Sequence, residues 1–298
     1  MRTVILERIG KYLKLVKFAH TIFALPFALI GFALALNITG SEFSWRVLIL
    51  ILIAMVTARN SAMGFNRYLD REFDAKNPRT KSREIPSGAL SATAALIFVA
   101  ANSVLFLITA YLINHICFLL AFPALIILLG YSYMKRVSAL CHYVLGLALA
   151  IAPTGAYLSI AGSFHPAPLI LSAIVLLWVS GFDIIYALSD EEFDKENDLH
   201  SVPQLFGKRL GLIISSAGHL LILPLLAILY FVVNSGTDGP LGWLYITGSV
   251  IFSILLLWQH LIVSHKDLSR INAAFFTLNG IASVLFSILF IADLILPG

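Results

Sequence analysis

Long apolar runs broken by short polar loops dominate this chain, and runs of that length read as membrane-spanning helices. Nine are expected, over residues 18–38, 46–66, 90–112, 116–134, 141–162, 167–188, 211–233, 241–263 and 272–295. Crossing the hydrocarbon takes roughly twenty residues at 1.5 Å each, which every run supplies or nearly supplies. The runs are continuous rather than alternating, which argues against a β-barrel. Pro26, Pro123, Pro153 and Pro224 fall inside spans, where packed neighbours tolerate a kink. No linker, low-complexity tract or soluble appendage interrupts the series, so one transmembrane domain is expected over residues 1–298. The basic start leads into a full-length span rather than a cleavable signal.

Composition agrees. Of 298 residues, 59% are hydrophobic and 12% charged, against about a quarter charged in soluble domains; the mean hydropathy is +0.92. The basic residues set an orientation. Arg2, Arg8, Lys11, Lys14 and Lys17 precede the first span, and Arg67, Arg71, Lys76, Arg79, Lys81 and Arg83 follow the second. Lys135 and Arg136, then Lys195, Lys208 and Arg209, then Lys266 and Arg270 fall on the same side. The opposite loops (39–45, 113–115, 163–166 and 234–240) hold none, with Arg46 at one edge. The expectation is a cytoplasmic N-terminus, an external C-terminus and residence in the cytoplasmic (inner) membrane. The net charge of +4 reflects this asymmetry and not nucleic-acid binding. Cys117 and Cys141 lack metal-ligand spacing and read as free thiols.

Against this apolar background two acidic stretches share one spacing: Asn66, Asp70 and Asp74, then Asp190, Asp194 and Asp198. Members four residues apart share a helix face, so each trio makes a stripe climbing roughly 12 Å. The stretches are offset by a constant 124 positions (66 to 190, 70 to 194, 74 to 198). Arg83-Glu84-Ile85-Pro86-Ser87-Gly88 and His200-Ser201-Val202-Pro203 follow them as similar phrases. These echoes suggest a duplicated four-helix bundle with a ninth helix added.

Unneutralised carboxylates at a membrane boundary repel one another and are costly to bury. An acidic helix end salt-bridged to Lys76 or Lys195 is the ordinary explanation for one stripe; two in register point to divalent cations. The donors are all oxygen, which disfavours zinc and copper and suits magnesium, with water and phosphate completing its octahedron. A stripe from each half across a cavity would hold magnesium ions with a pyrophosphate between them. Arg83, Lys135 and Arg136 are the cations expected to reach its outer oxygens. Calcium fits less well, because no continuous binding loop is present.

Two charges lie deeper. Arg59 precedes Asn66 by seven residues and Asp183 precedes Asp190 by seven, so each lies nearly two turns below its stripe. Charges within spans usually face a cavity or a partner. Either the two lock the second span to the sixth, or they floor a pocket in which Arg59 orients an acceptor carboxylate and Asp183 holds or deprotonates a phenol. Tyr186 could line that pocket. His20, Asn102, His142, His219 and Asn279 show no partner spacing and read as helix-packing hydrogen bonds.

Several segments resemble the UbiA superfamily of intramembrane aromatic prenyltransferases. They are Asn66-Arg67-Tyr68-Leu69-Asp70-Arg71-Glu72-Phe73-Asp74, Asn77-Pro78-Arg79-Thr80, residues 85–88, Tyr131-Ser132-Tyr133-Met134-Lys135-Arg136, and Asp183 through Asp190 to Asp194. The wording is similar to the 4-hydroxybenzoate polyprenyltransferase-like branch, and within it to menaquinone enzymes of the futalosine route. One position departs: Arg67 stands where the family commonly has Asp, which removes one possible metal ligand.

The resemblance implies Mg2+-dependent transfer of a polyprenyl group from a polyprenyl pyrophosphate to 4-hydroxybenzoate or 1,4-dihydroxy-6-naphthoate. Asp70, Asp74, Asp190 and Asp194 would hold the metal, an apolar cavity would shelter the allylic cation, and the site would face the cytoplasm. Prenylation of haem or chlorophyll precursors is the alternative within the family. A cation-coupled transporter is the alternative outside it, disfavoured because both stripes lie at the same membrane boundary.

Overall fold

The structure, a computed structural model, describes Gly10, Tyr12, Leu15, Val16 and residues 23–235 and 241–296. His20, the start of the first span, Arg2, Arg8, Lys11, Lys14, Lys17 and most of the 234–240 loop lie outside the described residues. Every regular element among the described residues is helical. They are α1 (Leu25–Thr39), α2 (Trp45–Leu69), α3 (Arg71–Lys76), α4 (Ala92–Ile113), α5 (His115–Met134) and α6 (Cys141–Ala161). There follow α7 (Pro166–Ala187), α8 (Glu191–Glu196), α9 (Val202–Leu220), α10 (Ile222–Ser235), α11 (Trp243–Ile262) and α12 (Asn279–Ile295). Among the described residues, eight helical runs are long and apolar enough to cross a membrane, and α1 adds a shorter apolar helix of 15 residues.

The run expected over 211–233 starts earlier, at Val202, and is bent at Gly207, whose φ of 78° is open to glycine at little cost. Ser201 caps it by accepting from the Gln204 amide at 3.2 Å. Cys117 and Cys141 are free thiols, as expected.

The chain divides into two compact units, residues 1–21 with 50–133, and residues 22–49 with 134–298. In the first, α2 and α4 pack through small and polar side chains. Asn60 donates to Asn102 at 3.0 Å, Ser103 to Ser61 at 3.1 Å, and a Cβ on Gly64 would meet Val99 at 2.9 Å. Tyr12 stacks on Phe98 above Leu15 and Leu90. Hydrocarbon chains are as apolar as leucine, so such close approaches and hydrogen bonds, rather than water exclusion, hold helices together here.

In the second unit α1 packs with α6 and α12, so this unit joins an early helix to late ones and does not follow the sequential four-plus-four expectation. Trp178, Phe27, Phe252 and Phe286 form its fully buried centre. Asn279 serves that centre: its Oδ1 accepts from Trp178 Nε1 and Gln259 Nε2, both at 2.7 Å. Its Nδ2 reaches the Ala274 and Phe275 carbonyls at 3.0 Å, within the π-helical turn Ala273–Leu278. At Gly31 a Cβ would lie 2.1 Å from the Pro153 carbonyl oxygen, a backbone atom that cannot turn aside. Gly31→Ala is therefore expected to destabilise the protein by about 1–3 kcal/mol, the usual cost of overpacking. Thermal unfolding in detergent measures it, and an unchanged midpoint would contradict that close approach.

Candidate active site

In the first unit the acidic stripe keeps its expected register. The Asp70 amide donates to the Asn66 carbonyl at 2.9 Å and the Asp74 amide to the Asp70 carbonyl at 2.8 Å, carrying helical bonding from α2 into α3. Asn66 Nδ2 donates to Asp70 Oδ2 at 2.9 Å, which leaves the Asn66 oxygen as that amide's acceptor. Asp74 is buried, and Arg83 Nη1 bonds both of its oxygens, at 2.6 and 2.8 Å. Thr80 Oγ1 donates to the Asp74 carbonyl at 3.1 Å, folding the loop after α3 back on itself. Arg67 is buried at 4% exposure, within the fields of Arg83, Asp74 and Glu84. Arg59, half-buried, donates from Nη2 to the Val16 carbonyl at 3.2 Å.

In the second unit the stripe does not survive as one helix face. After α7 the chain tightens into a 3₁₀ turn at Leu188–Asp190, then resumes as α8, which ends at Glu196. Asp198 is past that end, exposed, in the left-handed region with φ of 51°. It therefore leaves the face shared by Asp190 and Asp194, because an α-helix cannot continue through that conformation. Lys195 pairs not with the stripe but with Glu191, at 2.6 Å.

Asp194 is fully buried, and two groups neutralise it: Lys135 Nζ at 2.7 Å on Oδ1 and Ser201 Oγ at 2.9 Å on Oδ2. The His200 amide donates to the Lys135 carbonyl at 2.7 Å, and Cys141 Sγ to the His200 carbonyl at 3.4 Å. Burial works against the Lys135 ammonium, but Asp194, aided by Asp190, outweighs it and raises the lysine pKa above its ordinary value. Lys135 thus stays charged at neutrality, and its contribution fades only as pH climbs through that raised value. Arg136, the next residue, is half-buried, as is Asp190.

Below the stripe lies a contact that spacing did not reveal. His142 Nδ1 and Asp183 Oδ2 are 2.6 Å apart, and the Val202 amide lies 3.2 Å from His142 Nε2. That amide can only donate, so Nε2 is the acceptor and Nδ1 carries the ring's one proton. Asp183 thus finds a partner within its own unit, in His142. The only signal available was the cost of a histidine inside a span, which marked His142 without naming a partner. Asn102, His219 and Asn279 do serve helix packing; His219 Nδ1, for example, lies 2.9 Å from His260 Nε2. Tyr186 lies against Phe275 with ring centroids 4.3 Å apart, beside the π turn.

The donor chemistry fits magnesium. Asn66, Asp70 and Asp190 offer hard oxygens at helix ends, and one or two protein carboxylates are what that ion takes before water and phosphate. Asp74 and Asp194 are held by Arg83 and Lys135, so either would hold a metal only by sharing its oxygens with that cation or releasing it.

An all-helical integral membrane protein with oxygen-rich helix ends is the class these features define. The UbiA prenyltransferase family model matches residues 24–281. A 4-hydroxybenzoate octaprenyltransferase from Tolumonas auensis is 28% identical over 252 residues, covering 82% of this chain and 83% of its own. The apo structure of a UbiA homologue from Aeropyrum pernix K1 superposes with a TM-score of 0.80 at 30% identity, covering 92% of this chain and 98% of that one. A UbiA homologue from Archaeoglobus fulgidus bound to GPP and Mg2+ shares the fold, with a TM-score of 0.70, 23% identity and coverage of 96% and 100%. The chain belongs to the UbiA prenyltransferase family: it is a prenyl transferase, which sets the transporter alternative aside.

Proposed function

We propose that this protein transfers a polyprenyl group from an allylic polyprenyl diphosphate to 4-hydroxybenzoate or 1,4-dihydroxy-6-naphthoate in quinone biosynthesis. The reaction takes place in one transmembrane domain of the cytoplasmic membrane, at the cytoplasmic face, where the basic loops lie. The observation that carries this reading is that each unit has an oxygen-rich helix end, Asn66 with Asp70 after α2 and Asp190 after α7, the latter above an Asp183 held by His142. The names of the curated relatives support the aromatic acid, and the motif wording supports the naphthoate as its close alternative. GPP and Mg2+ on the Archaeoglobus fulgidus homologue support the donor and the metal.

Asn66, Asp70 and Asp190 would hold Mg2+, with Asp74 and Asp194 as further ligands and Asp198, exposed beyond the end of α8, left out of the set. When bound, the metal neutralises the departing diphosphate. Arg83, Lys135 and Arg136 supply positive charge to its outer oxygens. The donor's C–O bond breaks with both electrons leaving on the diphosphate, and an activated ring carbon bonds the allylic carbon. The ring then sheds its proton to restore aromaticity. Asp183 accepts the hydrogen bond or proton of the phenolic hydroxyl, making the ring electron-rich, while Arg59 orients the acceptor carboxylate and Tyr186 lines the ring's berth.

The test offers both acceptors, singly and together, with one polyprenyl diphosphate to purified protein in detergent. Mass spectrometry is expected to show an acceptor enlarged by one prenyl group, with one diphosphate released for each. Diphosphate-consuming turnover only with a haem or chlorophyll precursor would overturn the acceptor class.

A further inference from the structure

His142 is buried, with 3% of its side chain exposed, yet both ring nitrogens are committed, to groups far apart in sequence. On one side is Asp183, 23% exposed, with Oδ2 on the imidazole and no partner for Oδ1 among the described residues. On the other is the first amide of α9. That helix start needs several acceptors, since its leading amides have none within the helix. His142 takes the amide of Val202, Pro203 has none to satisfy, and Ser201 takes that of Gln204. The same Ser201 hydroxyl donates to Asp194. One imidazole therefore joins the deep carboxylate to the segment that secures the acidic motif.

We propose that His142 is a positioning residue with two separable duties. Through Nδ1 it holds Asp183 Oδ2, which leaves Oδ1 open toward the acceptor's hydroxyl. Through Nε2 it anchors the Ser201–Val202 segment, and with it Asp194 on the diphosphate side. With Nε2 accepting from the Val202 amide, Nδ1 is the nitrogen left to donate to Asp183 Oδ2. The first duty presupposes the acceptor-side role of Asp183 proposed above.

Two substitutions separate the duties, because asparagine places its amide near the Nδ1 position and glutamine reaches the Nε2 position. His142→Gln keeps an acceptor for the Val202 amide and loses the donor to Asp183. Its kcat is expected to fall roughly 10- to 100-fold, the range seen when a group orienting a functional side chain is lost, with donor KM unchanged. His142→Asn keeps the donor to Asp183 and loses the acceptor for Val202. It is expected to hold kcat within about threefold while donor KM rises about three- to tenfold. Both variants are polar and close in size, and thermal unfolding confirms that each is folded.

Equal losses in the two folded variants, the reversed pattern, or wild-type kinetics in both would overturn the proposal. Asp183→Asn, assayed alongside, separates the two levels. If it retains full turnover, the acceptor-side role of Asp183 is wrong. If it is inactive while His142→Gln is unimpaired, only the positioning role fails.

Discussion

Replacing Asp70 or Asp190 with asparagine is expected to lower turnover by at least about a hundredfold, since each change removes a charge that the departing diphosphate's neutralisation depends on. Neither residue is deeply buried, so folding and membrane insertion should survive the isosteric change. Asp198→Asn makes the contrast. Asp198 is exposed, lies beyond α8 and adopts a positive φ that asparagine also tolerates, so its variant is expected to lose less than about threefold. Steady-state kcat for the three variants, at saturating Mg2+ and again across a Mg2+ titration, provides the check. An Asp198 variant as inactive as the Asp190 variant would restore it to the working ligand set.

The second large effect concerns stability, and it is asymmetric. Lys135→Ala strands Asp194, fully buried, with only the Ser201 hydroxyl for company. Breaking a buried ion pair costs about 3–5 kcal/mol when the survivor cannot reach water. Lys135 is itself 34% exposed, so the pair gains less from burial and the expected loss is nearer 2 kcal/mol. In Asp194→Asn the surviving ammonium can turn to solvent and the amide still accepts from Ser201, so the loss is expected to be about 1 kcal/mol. Unfolding of the single variants and the Lys135→Ala, Asp194→Asn double variant measures the coupling. A double variant no more stable than the lysine variant alone would show that the stranded charge is not the cause.

Much of the fold was legible because span length is set by the bilayer. The expected 46–66 and 141–162 correspond to α2 at Trp45–Leu69 and α6 at Cys141–Ala161. The early start of α9 was missed because its opening residues, Gln204, Gly207, Lys208 and Arg209, are polar or flexible and carry no span signal. Helix partnership was missed too. Hydropathy says where a helix crosses, not which neighbour it meets, so nothing announced that α1 packs against α6.

In the candidate site, residue types and spacing located the acidic segments, Arg83 and Lys135. They could not show that Arg83 and Lys135 already hold Asp74 and Asp194, because these pairings depend on the loops between helices. Nor could they show the left-handed turn at Asp198. His142 was legible only as an unexplained polar residue, since no periodicity links it to Asp183 or Val202.

The placement of α1 has a consequence for biogenesis. Ser287 in α12 donates to the Pro26 carbonyl at 2.8 Å across 261 residues, so one of the earliest membrane segments waits for the last. At common translation speeds of 5–20 residues per second, that wait is roughly 13–50 seconds. Throughout it α1 sits in the bilayer without α12, so a helix made early is among the later ones to be locked in place.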